Sequence, residues 1–174
     1  MEITKLRLFI NYEKEEQWLN KMAAEGLNLS SYKFGRYTFE EGPPGEYIYR
    51  LELLKGEPTD EQSRDYLAFM EDYGVECVDT YMNWAFFRKK STEGPFEIYS
   101  DFDSIIGHYK RVTYLLGTVG VVNLFIALFN VTLSQYNMYL SIVNFIIFVL
   151  FIPILLSYIR KINDLKKEQA LYEK

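Results

Sequence analysis

The chain has 174 residues, enough for one domain or a small one with an appendage, a formal net charge of −5 and a mean hydropathy near zero. That mean hides a split: residues 1–100 carry 19 acids and 12 bases, net −7, while residues 101–174 carry 5 acids and 7 bases, net +2. The acidic half lacks the clustered Lys and Arg that nucleic acid demands, which argues against DNA or RNA as a partner.

Leu6, Leu8 and Ile10 alternate with Arg7, Phe9 and Asn11, the period of a strand. Interrupted by Glu2, Lys5 and Arg7, Met1–Ile10 does not read as a signal peptide. Asn11 then caps a helix with Glu13, Glu15 and Glu16 in its first turn, Trp18, Leu19, Met22 and Ala23 on one face, and Gly26 as its stop. Leu27–Glu41 alternates as a strand. Gly42-Pro43-Pro44-Gly45 turns the chain, and Glu46–Leu54 resumes, completing a strand–turn–strand hairpin.

Thr59-Asp60-Glu61-Gln62 reads as a capping box for a second helix with Tyr66, Leu67, Phe69, Met70 and Tyr73 as its buried stripe and Gly74 as its end. Val75–Lys90 alternates again, with Val78, Thr80, Met82, Trp84 and Phe86 on one side and Cys77, Tyr81, Ala85 and Phe87 on the other. Cys77, the single cysteine, reads as a small buried thiol and suits a reducing compartment. The order βαββαβ predicts an α+β, ferredoxin-like sandwich over residues 1–95.

One helical layer covers only one face of such a sheet, yet these strands are aromatic on both. The other face is therefore expected to meet a protein partner, a second copy of the chain, a ligand or the membrane surface, or else to be core with some exposed Tyr. Arg36, Arg50, Asp79 and Asn83 sit among apolar strand neighbours and need partners, either in a hydrogen-bonded cluster or as a small polar site. With Tyr47, Tyr49, Tyr81 and Trp84 they form the candidate binding face.

After a Ser-Thr-Glu-Gly-Pro linker, residues 96–111 predict an amphipathic connecting helix, capped by Ser100 or Asp101, with Phe102, Ile105, Ile106 and Tyr109 on its apolar side. Two uncharged runs of 22 residues follow, Val112–Leu133 and Met138–Ile159, joined by Ser134-Gln135-Tyr136-Asn137. At 1.5 Å per residue each reaches roughly 33 Å, enough for a hydrocarbon core of about 30 Å, and the pair reads as a transmembrane hairpin. Lys110 and Arg111 before it and Arg160, Lys161, Lys166 and Lys167 after it place both termini in the cytoplasm. Gly117 and Gly120 offer close approach, Asn123, Asn130 and Asn144 read as interhelical glue, and Pro153 is expected to kink the second span. Residues 160–174 form a charged tail, packed or frayed.

Chemistry is hard to find. His108, the only histidine, lies at the membrane edge, no zinc spacing or phosphate loop is present, and Glu15-Glu16, Glu40-Glu41 and Glu71-Asp72 read as solvated pairs. No enzyme, metal or cofactor is expected.

Leu8-Phe9-Ile10-Asn11-Tyr12-Glu13-Lys14-Glu15-Glu16-Gln17-Trp18-Leu19-Asn20, Phe34-Gly35-Arg36-Tyr37-Thr38-Phe39-Glu40, Gly45-Glu46-Tyr47-Ile48-Tyr49-Arg50, Val75-Glu76-Cys77-Val78-Asp79-Thr80-Tyr81, Trp84-Ala85-Phe86-Phe87-Arg88-Lys89-Lys90 and Gly94-Pro95-Phe96-Glu97 together resemble the bacterial family catalogued as domain of unknown function 2812. The resemblance implies a domain found mainly in Gram-positive species, often ahead of transmembrane helices and in the genomic company of PadR-type regulators. It supplies no catalytic residues. The expectation is a membrane-anchored cytoplasmic interaction or sensor module in envelope-stress or antimicrobial response. A small-molecule or lipid-binding domain, or a transporter accessory subunit, is the alternative.

Overall fold

The computed structural model describes residues 2–133 and 135–173, the side chains of 135 and 136 excepted. The chain divides into two compact units, Met1–Ile98 and Tyr99–Lys174. The first contains β1 (Glu2–Leu6), α1 (Tyr12–Ala24), β2 (Leu27–Lys33), β3 (Arg36–Glu41), β4 (Tyr47–Leu53), α2 (Glu61–Asp72), β5 (Glu76–Tyr81) and β6 (Trp84–Lys90). The second contains α3 (Phe102–Leu133) and α4 (Gln135–Tyr172).

The α+β class followed by a helical hairpin is as expected. Two of the four expected strand segments fold back on themselves, at Phe34-Gly35 and Met82-Asn83, so six strands form two antiparallel sheets, ordered β1-β3-β2 and β4-β6-β5. Alternation alone does not reveal these turns, because Phe34 and Met82 are large apolar residues, yet both adopt positive φ, 47° and 52°. The first strand also lies earlier than its pattern suggests, leaving Leu6 and Leu8 exposed.

The two sheets have one topology. Each is a strand, a helix and a hairpin, and Gly74 follows Gly26 by 48 residues, as Met82 follows Phe34. Both hairpins carry a register shift three pairs from the turn, between Leu29 and Ser31 and between Cys77 and Asp79. The same offset aligns Trp18-Leu19, Met22 and Gly26 with Tyr66-Leu67, Met70 and Gly74. The globular unit is thus a tandem repeat of βαββ. Gly26 and Gly74, at φ 81° and 76°, take the left-handed conformation that ends each helix, and a Cβ on Gly26 would meet the Gly42 carbonyl oxygen at 2.8 Å.

Packing differs between the repeats. Leu19, Met22 and Ala23 of α1 share a core with Leu29, Tyr37 and Phe39 of the first sheet and Tyr49, Leu51 and Phe86 of the second. Helix α2 lies on the opposite face of the second sheet, where Met70 and Val75 meet Ala85 and Phe87. Among the described residues the strand aromatics are therefore core rather than an uncovered face, the second of the two arrangements expected from the sequence. The second sheet is enclosed on both sides by its own chain, and the outer face of β3 is Arg36, Thr38 and Glu40.

Helix α1 also closes the outer edge of β4. The Asn20 side chain donates to the Tyr49 carbonyl at 3.0 Å and accepts from its N–H at 2.9 Å, and Glu16 accepts from the Leu51 N–H at 3.0 Å. Asn11 caps α1 as expected, accepting from Glu13 N–H at 2.9 Å. The capping box of α2 does not form, since Asp60 accepts instead from Glu57 N–H at 2.9 Å.

In the second unit, α3 runs unbroken from the amphipathic segment into the first apolar run, and α4 continues through Pro153 to Tyr172. Both helices are long and apolar enough to cross a membrane. Only 17% and 11% of their most apolar windows are buried, whereas a soluble core helix would be mostly covered. Of the expected connector, Ser134 lies outside the described residues, and α4 already includes residues 135–137.

The helices pair antiparallel. A Cβ on Gly120 would stand 3.7 Å from Phe148 and 3.8 Å from Phe151, whereas Gly117 faces open space. Interhelical glue comes from Ser141, whose hydroxyl donates to the Ala127 carbonyl at 2.7 Å. Asn123 and Asn144 donate to their own helices, at Val119 and Leu140, because a carbonyl one turn back is within reach of an amide. Asn130 is half-buried. The tail is helical and packs on the start of α3, with Tyr172 against Phe102 and Gln169 donating to Asp103 at 3.1 Å.

Two outcomes follow from this packing. Asn20→Ala strips both edge bonds from Tyr49 and is expected to cost about 1–3 kcal/mol, read as faster hydrogen exchange of the Tyr49 amide. Gly120→Ala should be accommodated, while Gly120→Leu should lower the thermal stability of the detergent-solubilised chain and Gly117→Leu should not.

Candidate functional site

Of the residues the sequence nominates for a binding face, most have structural occupations. Arg50 pairs with Glu97 at 2.8 Å and Glu16 at 3.4 Å, and donates to the Tyr49 carbonyl. Asp79 reaches across the seam between the repeats, accepting from Tyr32 N–H at 2.7 Å and from Thr80 N–H at 2.8 Å. Tyr49 is fully buried, and its hydroxyl accepts from Leu29 N–H at 2.8 Å, tying β4 to β2. Tyr47 lies under the Arg88 guanidinium at 4.4 Å. The Asn83 carbonyl accepts from Leu54 N–H, and Arg36 is exposed on the outer face of β3. Arg50 and Asp79 are thus held by partners within the domain, while Arg36 stands apart from them on the outer face of the first sheet.

Tyr81 and Trp84 do converge with other rings, in the cluster that also holds Tyr37, the partner of Glu15, an acid whose sequence context suggests solvent. Glu15 is 8% exposed, on the face of α1 that carries Leu19 and Met22. One carboxylate oxygen, Oε1, accepts from the Tyr37 hydroxyl at 2.6 Å. No cation among the described residues balances it. Burial therefore pushes its pKa up to about 7, against the smaller lowering effect of the Tyr37 bond. Tyr37 is itself shifted upward, by burial first and by Glu15 second.

Tyr37, which holds this carboxylate, belongs to an aromatic cluster drawn from both repeats. Tyr32 stands 4.7 Å from Tyr37, 5.3 Å from Tyr81 and 4.7 Å from Phe86. Tyr12, one turn before Glu15, lies 5.4 Å from Trp84, and Trp18 meets Tyr37 edge-on at 4.7 Å. Tyr12, Tyr32, Tyr81 and Trp84 are each half-buried, so the cluster reaches the surface at the junction of the repeats. At the position equivalent to Glu15 the second repeat has Ser63, also buried, so the carboxylate is present once.

Glu15 and Tyr12 were missed because acids in a first helical turn are ordinarily solvated. A signal was available: Glu15 precedes Leu19, Met22 and Ala23 by four, seven and eight residues, in phase with the buried stripe.

Chemically, an uncompensated carboxylate next to an aromatic cluster favours a cation, through charge and through the ring quadrupoles. Among the described residues no group of three or more His, Cys, Asp or Glu is arranged to hold a metal ion. Burial raises the Cys77 thiol to about 11, which keeps it protonated and unreactive at neutral pH. His108 belongs to the other unit, buried between Tyr99 and Tyr109.

The fold and site define a class: a tandem βαββ domain with one buried carboxylate at the repeat junction, followed by a pair of helices able to span a membrane. The chain belongs to the family described as protein of unknown function DUF2812, whose model matches residues 11–121, the globular unit from α1 onward and the first half of α3. No curated protein and no solved structure matches it.

The raised pKa has a stability consequence. The folded-state value of about 7 exceeds the ordinary 4.5, so the native state holds this proton more tightly. Stability is full below pH 4.5 and declines as pH rises toward 7, by up to about 3 kcal/mol. Glu15→Gln keeps an acceptor for Tyr37 and removes the titration. Its thermal midpoint should exceed that of the wild type at pH 8 by clearly more than at pH 5.

Proposed function

We propose that the protein is a membrane-anchored sensor module without catalytic activity, whose globular unit binds an apolar organic cation at Glu15. The observation that carries this reading is the nine-tenths-buried Glu15 carboxylate, whose one side-chain bond among the described residues comes from Tyr37, a ring in an aromatic cluster that draws on both repeats. A buried anion without a counter-charge costs stability, and a cationic ligand that displaces water from the junction recovers it. Ligand binding at a junction of repeats bears on how the two halves pack, which is what a sensor needs.

The excess of Lys and Arg at both ends of the hairpin, with none in the apolar runs, supports a cytoplasmic position for the globular unit. Apolar cations are a chemical class that includes many membrane-active antimicrobials, which accords with a role in envelope or antimicrobial response.

Tetraphenylphosphonium and its charge-reversed isostere tetraphenylborate test the reading on the full chain in phosphatidylcholine nanodiscs, with fluorescence of Trp18 and Trp84 as the readout. The phosphonium ion should quench saturably and the borate should not. Glu15→Gln should weaken phosphonium binding by roughly 10-fold or more, the loss of one favourable charge interaction. Wild-type affinity should fall as pH drops below 7, where Glu15 takes up its proton. Equal affinity in wild type and Glu15→Gln would overturn the proposal.

A further inference from the structure

The turn that joins β2 to β3 presents a second feature, independent of Glu15. Phe34 occupies its first central position at φ 47°, a conformation suited to Gly or Asn, and leaves 78% of its surface exposed. Leu8 and Leu6 beside it are 81% and 80% exposed. They are one patch: Arg7 N–H donates to the Gly35 carbonyl at 2.8 Å, and a Cβ on Gly35 would collide with Leu8. A strained backbone holding an apolar side chain out into water is a cost without a folding benefit.

The charge around this patch is opposite to that of the rest of the unit. Register places Leu6 opposite Arg36, Lys5 opposite Tyr37 and Lys33 opposite Arg36. Lys33 and Arg36 thus share the outer face with Leu6, while Lys5 on the Tyr37 face and Arg7, whose guanidinium lies over the Phe9 and Trp18 rings, flank the tip from the other side; no acid occurs in residues 3–10 or 30–39, although residues 1–100 together carry net −7. Large apolar side chains ringed by bases match the interface of an anionic bilayer, where the rings and methyls enter the acyl boundary and the bases meet phosphate.

We infer that Leu6, Leu8 and Phe34, with Lys5, Arg7, Lys33 and Arg36, form a peripheral docking surface for anionic phospholipid. The apolar helices of the same chain keep a bilayer at high effective concentration, so weak affinity suffices. The occupant is lipid rather than a second copy, because two copies of this surface would bring like charges together.

The test uses the full chain in nanodiscs of phosphatidylcholine alone and of equal parts phosphatidylcholine and phosphatidylglycerol. An environment-sensitive fluorophore is placed at Leu8→Cys on a Cys77→Ser background. Emission should shift to the blue in the anionic discs only, and the shift should fade at high salt and vanish in the combined Lys5→Glu, Arg7→Glu, Lys33→Glu and Arg36→Glu variant. Phe34→Asn serves as the folding control: Asn tolerates positive φ, so thermal stability should hold or rise while the blue shift is lost. Identical emission in the two lipids, or a shift that survives charge reversal, would sink the inference. A shift that appears in detergent and grows with protein concentration would instead assign the patch to self-association and overturn lipid as the occupant.

Discussion

The fold of the globular unit rests on one exchange of hydrogen bonds between a helix and a strand edge. An edge strand leaves a row of backbone donors and acceptors that must be paired or hydrated. In this chain α1, from the first repeat, supplies Asn20 and Glu16 to the outer edge of β4, from the second. The amide of Asn20 does at Tyr49 what a neighbouring strand would do. Because those bonds cross between repeats, they fix α1 over both sheets and bring Glu15, one residue before Glu16, into the common core. The Tyr49 hydroxyl then reaches Leu29, and Asp79 reaches Tyr32, so the junction is tied from three sides. A carboxylate that would be wet on an isolated helix becomes enclosed.

Much of this was legible in the sequence and some was not. Both helices of the globular unit, the Asn11 cap and the two apolar runs follow from local pattern, and local physics decides them. The stretch expected as a linker instead holds a short 3-10 helix at Ser91–Glu93, and the globular unit runs on to Ile98 with Phe96 in its core. The hairpin turns did not, because a Phe or a Met at positive φ contradicts turn chemistry. The repeat was present as Trp-Leu and Met before Gly26 and Tyr-Leu and Met before Gly74, but only a few positions survive, and a search for alternating strands passes over them. The candidate face failed for a different reason. The pattern of Tyr47, Tyr49 and Asp79 suits an open sheet, whereas these residues meet the first sheet, and sheet-on-sheet packing is a long-range property that no strand encodes alone.

The helical pair shows the same division. Length and hydropathy place α3 and α4 correctly, since the apolar run is itself the determinant. Which small or polar residues meet depends on rotation about each helix axis. Gly120 and Ser141 meet the partner helix, Gly117 faces open space, and Asn123 and Asn144 bond to their own helices. In a low-dielectric setting an amide that can reach its own helix gains little by seeking another, so spacing along the sequence is a poor guide to cross-helix bonding.

The pairing of Glu15 with Ser63 across the duplication bears on how such a domain diverges. Two identical subunits related by symmetry must change together, and any acquired binding group appears twice. Covalent linkage of the halves lifts that constraint: one helix carries an ionisable group at the core while its counterpart carries a hydroxyl. The result is a domain with a single buried carboxylate at its repeat junction, whose two halves accept mutations under separate rules.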